Sequence, residues 1–230
     1  MSRLFTDEEL EDLGKLTIDK LKEAADAGDA ERVKELADQM YGEWAFLHDG
    51  YNAWVIGLQA YIYNNFGLEH YEKAERFAHG TVEAKVAFDM EMGDMTFEEN
   101  VRQHCQALKG HVFQPITVTE DDEKIIIKVD PCGSGGRMLQ KGAYEKGGAR
   151  IKEACAITWG LEDFPSYCTH CPMGEQLGVD GGGIMRFTHD IDGFKSGQEV
   201  GPDCTYLLYK DPADIPEECY TRIDRKKPEA

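Results

Sequence analysis

Three cysteines carry the chemistry that this sequence spells out most clearly. Cys132 sits in Asp130-Pro131-Cys132-Gly133-Ser134-Gly135-Gly136-Arg137, and Cys168 and Cys171 frame the tetrapeptide Cys168-Thr169-His170-Cys171. A Cys-x-x-Cys turn brings two thiolates within reach of one metal ion, and a third soft ligand from a nearby loop completes a metal site. Zinc is the expected ion. Three sulfurs leave one coordination position to assign. A fourth protein ligand would make the site structural, whereas water or substrate there would make it catalytic. The candidates for that position are His111, His170, Cys204 and water. His111 enters the ligand set because it opens a segment expected to pair with the strand that delivers Cys132.

An iron–sulfur cluster is the rival centre. One distant cysteine followed by a Cys-x-x-Cys resembles the three-cysteine pattern of dehydratases, and Pro172 after the last cysteine also suits a cluster. A metal-free reading makes Cys132 a nucleophile, its thiolate stabilised by backbone N–H groups of residues 133–136 and a histidine acting as base. That leaves Cys168 and Cys171 unexplained. As a dithiol, the pair would make a redox or sulfur-handling protein, but no βαβ pattern surrounds it. The glycine-rich run after Cys132 lacks the Gly-Lys-Ser/Thr ending of a phosphate loop, and no convincing helix follows it. It reads as a turn that aims Cys132, with Arg137 placed to clamp a substrate carboxylate. Cys105, Cys155 and Cys219 have no such context and read as structural.

A second chemical candidate lies upstream. Trp44, His48, Tyr51 and Val55 share a helix face by their spacing. A histidine in an aromatic setting suits acid–base work near neutral pH, with Asp49, Asn52 or Glu43 to orient it. His48, Asp49 and Arg137 are therefore the catalytic candidates, and Trp44, Tyr51 and Trp54 are the expected pocket lining. His70, His79, His104 and His189 sit in polar contexts and read as surface residues.

The elements that must position these groups fall into two parts. Residues 1–110 read as helical. Thr6-Asp7-Glu8-Glu9 forms a capping-box signature, and Asp29 caps a long helix whose apolar stripe runs from Val33 to Ile62, with a kink or break expected near Gly50 and a stop at Gly67. Shorter helices are expected over Leu68–Ala78, Val82–Met90 and Phe97–Leu108. Residues 111–230 read as a metal-binding α+β part. Strands are expected over His111–Thr119 and Lys124–Val129, joined by the acidic turn Glu120-Asp121-Asp122-Glu123. Residues 131–183 look loop-rich. Further strands are expected at Ile184–Thr188 and Thr205–Tyr209, and a last helix over Pro212–Tyr220. The expected fold is α+β: an N-terminal helical layer packed on a small antiparallel sheet, with a cysteine-rich metal-binding loop region, forming one compact unit.

The bulk numbers agree with such a domain. The chain has 230 residues, 41% of them hydrophobic, enough for a sizeable core. A formal net charge of −19 repels nucleic-acid phosphates and anionic membranes, so no nucleic-acid or membrane partner is expected. The acidic start shows no signal-peptide run and no stretch suits a membrane span, which points to the cytoplasm. Seven cysteines without a secretion signal suggest reduced thiols or metal ligands. The long amphipathic N-terminal helices suit a homodimer.

The segment Glu199-Val200-Gly201-Pro202-Asp203-Cys204-Thr205-Tyr206 resembles the closing motif of 4-vinyl reductase-type small-ligand domains and of the L-2-amino-thiazoline-4-carboxylic acid hydrolase-like family. The first resemblance implies a zinc-bearing ligand sensor, the second hydrolysis of a small heterocyclic acid. The match covers the last quarter of the chain. It lacks the second cysteine that the sensor type carries shortly before the position of Cys204, so that zinc site does not transfer whole. The wider pattern, from His48-Asp49 to the Cys-x-x-Cys, is similar to bacterial proteins of no assigned activity. Together these readings predict a metal-dependent hydrolase or lyase acting on a small aromatic or carboxylated molecule. A zinc-stapled small-molecule sensor is the alternative, and an iron–sulfur dehydratase-like or sulfur-handling protein the third.

Overall fold

At the N-terminus, single hydrogen bonds start the helices. The Thr6 backbone N–H donates to Glu9 Oε2 at 2.7 Å and the Glu9 N–H donates to Thr6 Oγ1 at 3.2 Å, the reciprocal pair of a capping box. Helix α1 follows over Asp7–Gly14 and α2 over Thr17–Asp26. The Arg32 N–H donates to Asp29 Oδ1 at 3.0 Å, capping α3, Ala30–Phe66. The structure, a computed structural model, describes residues 4–83, 96–112, 116–182, 185, 187–197 and 204–228, without the side chains of 81–83, 111, 112 and 182. The expected helix over Val82–Met90 lies almost wholly outside them.

Helix α3 runs through Gly42, Gly50 and Gly57 without a break in its helical assignment. An interior glycine costs a helix only about 1 kcal/mol, which packing elsewhere can offset. Gly67 ends it with φ at +81°, in the left-handed region where a side chain would be strained. Helix α4 (Leu68–Phe77) then passes into a π-helical turn, Ala78–Glu83.

By its contacts the chain divides into two compact units, Met1–Gly50 and Tyr51–Ala230, and the division falls inside α3. Unit 1 holds α1, α2 and the first part of α3. Its interior includes Thr17, Ala24 and Leu36, and Thr17 Oγ1 donates to Glu43 Oε1 at 2.8 Å.

Unit 2 is built on a four-stranded antiparallel sheet. Its strands are β1 (Thr117–Glu120), β2 (Lys124–Val129), β5 (Thr188–Asp190) and β6 (Cys204–Tyr209), in the order β1-β2-β6-β5. Along β2, Ile125, Ile127 and Val129 face inward, the period-two alternation of a half-buried strand. They join Leu208, Phe164, Trp159, Phe194, Ile215, Tyr220 and Ile223 in the main core. Helix α5 (Phe97–Val112) lies against this core through Leu108, Val101 and Cys105. A separate two-stranded pair, β3 (Arg150–Ile151) and β4 (Phe164–Pro165), borders it. The fold is thus mixed helices and a small antiparallel sheet.

Two expected elements are corrected. His111 and Val112 end α5 instead of starting a strand, and β1 begins only at Thr117. The helix continues past Leu108 because extending an existing helix, anchored on the core by Leu108, outweighs the weak strand preference of a few β-branched residues. The stretch 131–183 is also far from a plain loop. It contains α6 (Gly135–Gln140) and α7 (His170–Gly182). Glycines read as loop signals here allow close packing. A Cβ on Gly148 would meet Ile56 Cγ2 and the Tyr144 backbone, both at 2.8 Å. A short final helix, α8 (Glu217–Thr221), closes the chain.

Tyr71 ties α4 to the turn that carries Cys168. It is fully buried, and its hydroxyl donates to Ser166 O at 2.8 Å while pairing with Thr169 Oγ1 at 2.8 Å. Tyr71→Phe is expected to cost about 1 kcal/mol in urea unfolding. His104 on α5 packs at a tilt against Phe187, ring centroids 4.9 Å apart, and burial, with the neighbouring His189 charge, lowers its pKa from 6.5 to about 4. The unfolded ring therefore takes up a proton before the folded one does. Its contribution is fully present above pH 6.5 and is lost as pH falls toward 4. His104→Gln is expected to flatten that part of the stability–pH curve.

Candidate functional site

The β2–β6 register sets Val129 opposite Cys204. The chain then turns through Asp130-Pro131 and brings Cys132 back beside Cys204, where the two side chains hydrogen-bond. Cys168 lies in the 3₁₀ turn Ser166–Thr169 just before α7. Its sulfur rests against α6: a Cβ on Gly135 would sit 2.5 Å from Cys168 Sγ, so only glycine admits the thiol there. Cys171, in the first turn of α7, places Sγ 3.6 Å from His170 Nε2. Two strand ends and one helix start thus gather four free thiols, of Cys132, Cys168, Cys171 and Cys204.

The thiols act on one another electrostatically. The hydrogen bond from Cys204, helped by the Gly136 and Ser134 N–H groups and the Ser134 hydroxyl, holds Cys132 well below the usual thiol range. The same hydrogen bond, then burial and the charges of Cys132, Cys171 and Cys168, pushes Cys204 up. Burial raises Cys168, and Cys132 and Cys171 add to it. Tyr206 is also pushed up, by burial first and then by Cys171, Cys204 and Cys132. Within this group the pair pulls apart, with Cys132 lowered and Cys204 and Cys168 raised.

Beside Cys171 stands a histidine that reads as a surface residue in the sequence. His189, on β5, is 1% exposed. Its Nδ1 bonds Glu175 Oε1 at 2.8 Å, and its Nε2 is buried with no hydrogen-bond partner. Burial pulls its pKa down, but Cys171 and Glu175 outweigh this and raise it to about 9. Glu175, 1% exposed, also accepts from Trp159 Nε1 at 2.9 Å and Thr188 Oγ1 at 3.2 Å, and lies 3.4 Å from Arg222 Nη2. A carboxylate that fixes one imidazole nitrogen and leaves the other presented is the arrangement that orients histidines for ligation or proton transfer.

The other expected site residues lie as follows. The side chain of His111 is outside the described residues. His170 is half-buried, with Nδ1 2.5 Å from Tyr167 O and its ring stacked on His79 at 6.0 Å. Arg137, half-buried, is on α6, its N–H donating to Cys132 O at 2.8 Å. His48 and Asp49 belong to unit 1, where Nδ1 and Oδ1 are 3.5 Å apart and Trp44 packs edge-on against the His48 ring. Trp44 borders an open groove of about 290 Å³ in that unit, with Leu16, Met40, Glu43 and Leu47 among its walls. Tyr51 and Trp54 belong to unit 2 and are largely exposed. The part of the resemblance segment before Cys204, residues 199–203, lies outside the described residues. Among the described residues, no group of three or more His, Cys, Asp or Glu side chains is arranged to hold a metal ion as it stands.

Sequence reasoning missed His189, Glu175 and Tyr206. One signal was available: Cys171 and Glu175 are four apart on α7 and so share a helix face. His189 had no such local mark, because its partners come from other elements. Neither the family models, nor the curated proteins, nor the solved structures contain a match to this chain.

Gly135→Ala tests the close approach of Cys168 to α6. The added methyl is expected to displace the thiol and cost about 1–3 kcal/mol of stability, with faster alkylation of Cys168 under native conditions.

Proposed function

We propose that the chain is a zinc-binding protein whose thiol centre, with Cys132, Cys168 and Cys171 as ligands, staples the second unit of a small-molecule-binding module. The observation that carries this is the gathering of buried thiols from separate elements: Cys132, Cys171 and Cys204 are each less than a tenth exposed. Thiolates are soft ligands, which favours zinc over magnesium or calcium. A thiol turns about a single torsion between staggered wells, which lets neighbouring sulfurs reorient toward an ion. Exposed Tyr51, Trp54, Leu58 and Tyr61, at i, i+3 and i+4 spacing on α3, suit a homodimer seam of the same protein.

Hydrolase or lyase chemistry at the ion is the second reading. It needs an open coordination position, at which zinc polarises a substrate group or activates water. Half-buried Cys168 and Arg137 favour it, since Arg137 suits a small carboxylated substrate as a two-point partner. His48 and Asp49, in unit 1, remain proton-transfer candidates on their chemistry alone.

Protein reduced and loaded with zinc is expected to retain one ion per chain, and Cys132→Ser and Cys171→Ser to lose it, by elemental analysis. Under the stapling reading, chelation lowers the melting temperature of unit 2 sharply. Under the catalytic reading, it abolishes turnover of small aromatic or carboxylated acids while the melting temperature shifts little. A brown, iron-bearing protein would replace zinc by a cluster. A reduced protein that retains no metal would end the proposal.

A further inference from the structure

We propose that the fourth ligand is Nε2 of His189, giving a closed site of three sulfurs and one nitrogen, with Cys204 outside it as a hydrogen-bond donor to Cys132. This rests on the zinc reading above and adds a ligand that the Cys-x-x-Cys pattern does not indicate.

Three observations converge on His189. Its Nδ1 is taken by Glu175 at 2.8 Å, which fixes the ring and leaves Nε2 as the coordinating nitrogen. That Nε2 is fully buried with no partner in full hydrogen-bond geometry, although the Cys171 thiol is close enough to act on the ring, and folded proteins seldom leave such an atom without a further partner. The thiol acting on the ring is that of Cys171, itself one of the proposed ligands. With Nδ1 committed to the carboxylate, the interaction with Cys171 falls to the Nε2 edge.

Charge decides between His189 and Cys204. Zinc with four thiolates leaves a net −2 at a buried point next to the Glu175 carboxylate, whereas three thiolates and a neutral imidazole leave −1. Burying the smaller charge is favoured, the more so in a chain of net charge −19. Cys204 sits opposite Val129 at the strand end beside Cys132, where a thiol can donate to a ligating sulfur and tune it without itself binding the ion. His170 is the nearest rival, since its Nε2 lies 3.6 Å from Cys171 Sγ. Its ring, however, is only half-buried and is stacked on His79.

X-ray absorption at the zinc edge of the intact, zinc-loaded protein tests the assignment. The expected shell is three sulfurs at about 2.3 Å and one nitrogen at about 2.0–2.1 Å, with outer-shell imidazole scattering. That scattering is expected to persist in His170→Gln and to vanish in His189→Gln, and Cys204→Ser is expected to keep its zinc. A four-sulfur shell, or three sulfurs with an oxygen and no imidazole, would overturn the role of His189 while leaving the zinc reading standing. So would imidazole scattering that disappears in His170→Gln, which keeps the test decisive if His189→Gln does not fold. Wild-type protein that binds no zinc removes both.

Discussion

A carboxylate with almost no exposed surface organises unit 2. Burying a charge is costly unless it is paired and hydrogen-bonded, and removing one partner of a buried pair typically costs about 3–5 kcal/mol. Glu175 meets that demand with groups from three other parts of the chain: the Trp159 indole, the Thr188 hydroxyl and His189 ring of β5, and the Arg222 guanidinium just after α8. Arg222 itself donates to Thr188 Oγ1 and to the His189 carbonyl, and packs over the Trp159 ring. The carboxylate can be satisfied only when α7, β5 and the C-terminal segment are all in place. That makes the network a specifier of tertiary structure, whatever its net contribution to stability.

The thiol cluster inherits its geometry from this network and from one strand register. Cys171 is one helical turn ahead of Glu175, so fixing the carboxylate fixes the sulfur on the same face of α7. Cys204 is fixed by its pairing with Val129, and a one-residue slip of β2 against β6 would turn it to the opposite face of the sheet. Cys168 is fixed by the missing side chain of Gly135 and by the turn that Tyr71 holds. Cys171, Cys204 and Cys168 are thus located by different physical causes: electrostatics, register and steric permission. Their meeting is what gives the site chemical meaning, because scattered buried cysteines are only small hydrophobes.

The parts of the fold legible in the sequence are those whose interactions close within a few residues. The Thr6–Glu9 box, the Asp29 cap, the left-handed Gly67, the alternation of β2 and its acidic turn all depend on near neighbours, and the structure contains each of them. The misread stretches are those where local preference was weak. His111 and Val112 carry strand-like residues but extend a helix that packs on the core, and the glycines of 131–183 looked like loops yet several sit inside two helices.

For the site, the sequence by itself determined the chemistry available: three sulfurs at metal-ligand spacing, a glycine-rich run beside the first, and an arginine at its end. Only the tertiary structure decided the company they keep. His189 lies 14 residues from Glu175, and Arg222 lies 47 from it, separations that carry no periodic signal. Whether a histidine is a solvated surface group or a buried one with an unpartnered nitrogen depends on which elements close over it. That is fixed by the burial of a whole core at once, and no local pattern records it.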